Sequence, residues 1–216
     1  MRGCVKHAVP GIALMTTMAG ALLPAPLTAQ AAAGQPPRWA FDLSAYQYVV
    51  PGAPDVALFI ARADRDALHL EGRWNYESLD AGSLFAGWTI AFGDQLHVAL
   101  TPMMGAVAGS VLGIAPGLEA EVTLGPAWLY VEAEYVADLR DQDASFLYTW
   151  NELGIQPVGP LQVGLLAQRL RPVNTPLTVE RGAFVRVALG PVTLGAHVLN
   201  PGTDSYFTIW SVGATF

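Results

Sequence analysis

The chain has 216 residues, of which 52% are apolar and 13% charged, with a formal net charge of −7. Scarce charge combined with six Trp, seven Tyr and eight Phe excludes a disordered chain, and no Gly-x-y period points to collagen. An acidic balance with no basic cluster in the sequence excludes nucleic-acid binding, because neutralising phosphates takes Lys and Arg in numbers.

Arg2 and Lys6 precede an apolar run over 9–23, and small residues follow at Leu27-Thr28-Ala29 and Ala29-Gln30-Ala31. This is the pattern of a secretory signal peptide over 1–31, cleaved after Ala29 or Ala31. A membrane anchor is disfavoured, since a spanning helix needs about 20 apolar residues and Pro10 and Pro24 bracket this shorter run. Cys4 leaves with the peptide, so the mature chain 32–216 has no disulfide and no thiolate site. It keeps nine Arg, no Lys and eighteen acids.

The mature chain has one dominant period. Over 67–77, Leu68, Leu70, Gly72, Trp74 and Tyr76 alternate with His69, Glu71, Arg73, Asn75 and Glu77, and a period of two means a strand. The same alternation runs over 118–124 and 129–135. Similar segments at 38–50, 55–63, 83–92, 96–105, 146–156, 161–171, 178–189, 192–199 and 206–216 bring the total to about twelve strands, with ten as the alternative. Many are about 9–11 residues long, enough to cross a bilayer as a tilted strand.

Tight turns are predicted at 64–66, 93–95, 125–126, 159–160 and 190–191, so the repeat unit is a hairpin. They pair Leu58 with Gly72, Ile60 with Leu70, Ile90 with Val98, Thr89 with Ala99, Ala120 with Val131, Glu119 with Glu132, Val187 with Leu194, and Phe184 with His197. The turn at 159–160 requires a bulge, because simple pairing puts Glu152 on the apolar face opposite Ala167. A competing reading arises over 98–117, which lacks charge and spaces Gly105, Gly109, Gly113 and Gly117 four apart, as in membrane helix contacts. Pro102 and Pro116 oppose that helix. As a strand pair the segment puts all four glycines on the inner wall.

Aromatic residues gather at the strand ends, with Trp39, Phe41, Phe92 and Phe216 at one end and Tyr76, Tyr135 and Tyr206 at the other. The chain closes on 206–216, where Trp210 and Val212 share a side with Phe216. With the signal peptide and the antiparallel hairpins, these features resemble bacterial outer-membrane β-barrel proteins. The resemblance implies an all-β fold, a closed antiparallel transmembrane barrel in contact with outer-membrane lipid, and insertion by the outer-membrane assembly machinery through the strand ending at Phe216. It also implies periplasmic turns and termini, with short external loops near 51–54, 78–82, 106–116, 138–144, 172–177 and 200–205.

On that reading Glu119 and Glu132 face each other across a hairpin in the lumen, with Glu121 and Glu134 beside them and Glu71, Arg73 and Arg186 on other strands. Rings of acids attract cations, while paired lumen charges fill a closed barrel. His69, His97 and His197 also point inward but lack the short spacing of a metal site, and neither a metal nor a cofactor is expected. Arg38, Arg62, Arg65, Arg140, Arg169, Arg171 and Arg181 are expected at the rim. The chain lacks a Gly-x-Ser-x-Gly elbow and any His followed by a serine in the His-x-Ser pattern, so no enzyme is expected, and a lipid-modifying enzyme is the least favoured reading. The leading expectation is a narrow passive channel for small cationic or neutral solutes. The alternative is a closed structural or interaction barrel with a charge-paired lumen.

Overall fold

Alternating side chains become strands along most of the described residues in this computed structural model, which describes residues 38–173 and 177–216. The expected signal peptide lies outside the described residues. The strands are β1 Ala40–Val49, β2 Val56–Arg65, β3 Leu68–Trp74, β4 Ala81–Trp88, β5 Ile90–Phe92, β6 Leu96–Gly109 and β7 Gly113–Leu124. They continue with β8 Ala127–Asp138, β9 Phe146–Val158, β10 Leu161–Pro172, β11 Thr178–Leu189, β12 Val192–Leu199 and β13 Phe207–Thr215. Among the described residues a single 3-10 turn, Gln142–Ala144, sits in the β8–β9 loop.

Strands adjacent in sequence pair antiparallel, except that β4 and β5 both pair with β6, and β1 pairs with β13 from Asp42 opposite Thr215 to Val49 opposite Thr208. The sheet is therefore a closed barrel. Phe41 and Phe216 lock the seam by exchanging backbone hydrogen bonds of 2.9 and 3.0 Å. β4 and β5 are two parts of one ribbon, since both pair with β6 in the same register and only Thr89 interrupts them. The barrel has twelve ribbons, as expected. No helix among the described residues is long and apolar enough to cross a membrane, and 98–117 forms parts of β6 and β7.

The hairpins show which turn readings hold. Ala120 pairs with Val131, Glu119 with Glu132, Val187 with Leu194 and Phe184 with His197, all as expected. The bulge beside 159–160 is present, as a register shift between Leu161 and Val163 that turns Glu152 inward opposite Leu166. The β5–β6 hairpin is shifted by two, with Ile90 opposite Leu100 and Phe92 opposite Val98. Side-chain facing survives a shift of two.

The β2–β3 hairpin corrects the sequence reading. Its loop is the two-residue Asp66-Ala67, with Arg65 opposite Leu68 and Asp66 at φ 54, a backbone that two-residue hairpins require. One residue fewer in the turn reverses every side chain of β2. Leu58, Ile60 and Arg62 point inward, and Phe59 points outward with 51% of its surface exposed.

β3 also stops early. Asn75 takes φ 58, its Nδ2 donates to the Ala57 carbonyl at 3.0 Å and its Oδ1 accepts from the Asp80 amide at 2.8 Å. This loop folds Tyr76 into the barrel instead of the outer girdle, leaving it 2% exposed. The expected loop at 106–116 shrinks to 110–112 because β6 and β7 run further than expected. Gly105 and Gly113 lie buried on the inner wall and Gly117 is half-buried there. Gly109 instead turns the strand end at φ 122, where a Cβ would stand 2.1 Å from the Asp80 carbonyl oxygen.

Leu84, Trp88, Leu153, Leu165, Trp210 and Phe216 stand on the outside while the charged groups of the mid-strands turn inward. A closed barrel with an apolar outer wall and a polar interior satisfies every backbone group without water, as hydrocarbon demands.

Candidate functional site

Inward parity on β2, β3, β7 and β8 brings one charged cluster together. Arg62 Nε donates to Glu71 Oε2 at 3.0 Å and its Nη2 to Glu119 Oε1 at 3.3 Å. Arg73 Nε donates to Glu71 Oε1 at 2.5 Å, and its Nη1 lies 2.7 Å from Glu134, 3.2 Å from Glu132 and 3.8 Å from Glu77. Tyr76 donates to Glu132, and Tyr130 donates to Glu119 at 2.8 Å with Glu132 Oε2 3.3 Å from the same hydroxyl oxygen. The ribbons β4 and β6 separate β3 from β7 and β8 in the wall. The two arginines therefore reach across the lumen along a chord, and small inward residues such as Ser83, Gly105 and Ala115 leave the space.

A second cluster lies on β9, β11 and β12. Arg186 Nη2 donates to Glu152 and lies 3.3 Å from His197 Nε2, while Trp150 Nε1 donates to Glu152 Oε1 at 3.0 Å. Nδ1 of His197 is 3.4 Å from the Ile209 carbonyl.

Glycine supports both clusters through aromatic rings. Phe85 pairs across strands with Gly105, Trp128 with Gly154 and Phe184 with Gly164. A Cβ at any of these glycines would fall 2.3–2.6 Å from the ring atoms, so each ring lies flat against the wall. The guanidiniums then lie on the rings. Arg73 is 4.3 Å from the Phe85 centroid and 4.1 Å from that of Tyr76, and Arg186 is 4.4 Å from that of Phe184. Buried cation–π contacts of this kind reach about 2 kcal/mol.

The residues expected from sequence fall into three places. Glu71, Arg73, Glu119, Glu132, Glu134 and His69 join the first cluster, and Arg186 and His197 the second. Glu121 and His97 lie lower on the wall, where Glu121 accepts from Thr123 at 3.0 Å. His69 bridges Asp64 at 2.7 Å and Glu71 at 3.3 Å. Among the described residues His69, Glu71 and Glu119 bring ligand-type atoms within 4.8 Å of one another. Arg62 already bonds both carboxylates there, so a guanidinium occupies the place a metal would take.

Sequence reasoning placed Arg62 at the rim, and the structure corrects this: it is buried in the lumen because the β2–β3 turn is one residue shorter than expected. Asp64, Glu77, Tyr76 and Tyr130 were also missed as partners. The signals for Arg62 were its alternation, with Asp64, against Ala61 and Ala63 and the Asp66-Ala67 turn, a dipeptide that is a weak hairpin signal.

No family model matches this chain, and no curated protein matches it. Among solved structures, the KdgM porin superposes with a TM-score of 0.62 at 9% identity, covering 81% of this chain and 99% of its own. The barrel has the outer-membrane porin fold. The NanC porin agrees, with a TM-score of 0.56, 10% identity, and coverage of 81% of this chain and 98% of that one. The KdgM porin in complex with disordered oligogalacturonate superposes at 0.59 with 9% identity, covering 81% and 98% of the two chains. Within this porin fold the lumen charge pattern and the Arg–Glu chord are features of this chain's own residues.

Proposed function

We propose that this porin-fold barrel resides in the outer membrane, reached through cleavage of the 1–31 signal peptide, and acts as a narrow passive channel for small cationic or neutral solutes. The observation that carries the reading is the inward charge balance. Asp42, Asp64, Glu71, Glu119, Glu121, Glu132, Glu134 and Glu152 face Arg62, Arg73 and Arg186, so carboxylates outnumber guanidiniums along the lumen. Acidic linings favour cations and repel polyanions. One relative in fold has been seen with oligogalacturonate, a carboxylated sugar chain, and such a chain would meet like charge here. Buried polar atoms without a protein partner among the described residues, including Arg73 Nη2 and Glu134 Oε1, are groups that recruit water, which supports a wet passage.

A second reading has its own observation. The side chains of Glu71, Arg73 and Glu132 have no exposed surface, which favours a closed barrel with a charge-paired lumen. Planar-bilayer recording separates the two. The channel reading expects small, cation-selective currents, and Glu119→Gln with Glu132→Gln should lower the cation-to-anion permeability ratio several-fold. Silence from protein that shows heat-modifiable gel mobility would rule the channel out and leave the closed barrel.

The assembly machinery and the membrane lipid are the partners proposed with this function, the former engaging the strand that ends at Phe216. Phe216→Ala is expected to lower the fraction of heat-modifiable barrel in cell envelopes while refolding in detergent proceeds as for the wild type. Equal fractions in cells would remove Phe216 from the signal.

A further inference from the structure

Arg169, Arg171 and Arg181 are scattered in the sequence and collected by strand pairing. On β10, Leu166, Gln168 and Leu170 face the lumen, so Arg169 and Arg171 face outward together, one pleat repeat of about 7 Å apart. Arg169 stands opposite Val179 and Arg181 opposite Ala167, which makes Arg169 and Arg181 diagonal neighbours on the same outer face, at about 7–8 Å. All three are exposed. They sit at the external rim: Asn200, just past the end of β12, pairs its backbone with Arg181 at 2.7 Å, and β10 ends at Pro172.

No carboxylate forms an ion pair with these three among the described residues. Glu180, next in sequence to Arg181, is turned inward, where Gln168 donates to it. Directly below the trio the wall is apolar, with Leu153 and Leu165 paired and exposed. Beside it, on β9, Asn151 donates to Thr149 at 3.2 Å and to the Ala167 carbonyl at 3.1 Å. Three like charges gathered at the edge of a hydrocarbon band repel one another unless an anion lies between them, and a phosphate accepts bidentate bonds from several guanidiniums.

We propose that Arg169, Arg171 and Arg181 form a docking site on the outer wall for the phosphate of an anionic lipid of the external leaflet. The proposal rests on the membrane reading above. The apolar strip below the trio takes the acyl chains, and the polar shoulder of Thr149 and Asn151 borders the headgroup.

The test uses the refolded full barrel in neutral detergent micelles and a fluorescent lipid A carrying both phosphates. Wild-type protein should bind it, and the triple variant Arg169→Gln, Arg171→Gln, Arg181→Gln should bind about tenfold more weakly, the loss expected for charge-assisted phosphate contacts. Lipid A without phosphates should bind wild type as weakly as it binds the variant. Arg38→Gln with Arg65→Gln, at the other end of the barrel, should leave affinity unchanged. Equal affinity of the triple variant and wild type overturns the site, as does displacement of the lipid by millimolar inorganic phosphate, which would identify the free anion as the ligand. Vesicle insertion and heat-modifiable mobility, read on the same samples, report on the membrane reading separately. A barrel that inserts yet does not distinguish the lipids refutes the phosphate site alone.

Discussion

Replacing Arg73 with Met is expected to destabilise the barrel by about 3–5 kcal/mol, the range for removing one partner of a buried ionic network. Arg73 is the shared counter-ion of Glu71, Glu132 and Glu134 and rests on Phe85 and Tyr76, all in the barrel interior. Methionine keeps the apolar stem and removes the charge, which leaves carboxylates facing one another at close range. The measurement is the urea midpoint of barrel refolded into phospholipid vesicles. Adding Glu132→Gln and Glu134→Gln to Arg73→Met should recover most of the loss, since the exposed charges are then neutralised with their partner. Arg38→Met, on an exposed residue, should stay within about 0.5 kcal/mol of wild type. A small effect from Arg73→Met alone would show that the chord is a solvated contact and not a buried one.

The second large effect is expected from Gly154→Ala. A methyl group there would meet Cζ2 and Cε2 of Trp128 at 2.3 and 2.4 Å, so the indole must lift off the wall. Overpacking of this kind destabilises by about 1–3 kcal/mol. The lifted ring would also press towards Phe184 and the Arg186 guanidinium, which it now approaches to 5.6 and 5.9 Å. Trp128→Leu in the same chain should absorb the methyl. The sum of the two single changes should therefore exceed the loss in the double variant, a coupling that a double-mutant cycle reads directly. Additive losses would mean that the ring and the glycine do not share space.

Local alternation made most of the fold legible. The β7–β8 hairpin reads correctly residue for residue, because Gly125-Pro126 marks a two-residue turn and Glu119, Glu121, Glu132 and Glu134 lie on the face opposite Leu118, Ala120, Val131 and Ala133. Even the bulge after β9 is visible in advance, as a charge that would otherwise face lipid. β2 inverts because Leu58 and Ile60 are as apolar as Phe59. Its polar residues Arg62 and Asp64 share the face of Leu58 and Ile60 but sit at the turn end, so a turn taken over 64–66 hides that face, and one residue in the turn decides which side is which. The site divides in the same way. That the acids point inward is local information, carried by parity. That Arg73 meets Glu134 is not, since it depends on barrel closure and strand tilt bringing β3 within reach of β8.

The seam between β1 and β13 has a kinetic consequence. The two ribbons that meet there are the first and last of the barrel in sequence, so joining them closes a chain loop longer than any other strand pairing requires. Every hairpin can zip locally beforehand, yet the resulting open sheet carries two raw edges of unsatisfied amides and carbonyls, which invite strand pairing with other chains. Cylinder closure is thus expected to be the slow step of folding, and weakening the Phe41–Phe216 clasp should lengthen the life of the aggregation-prone open sheet.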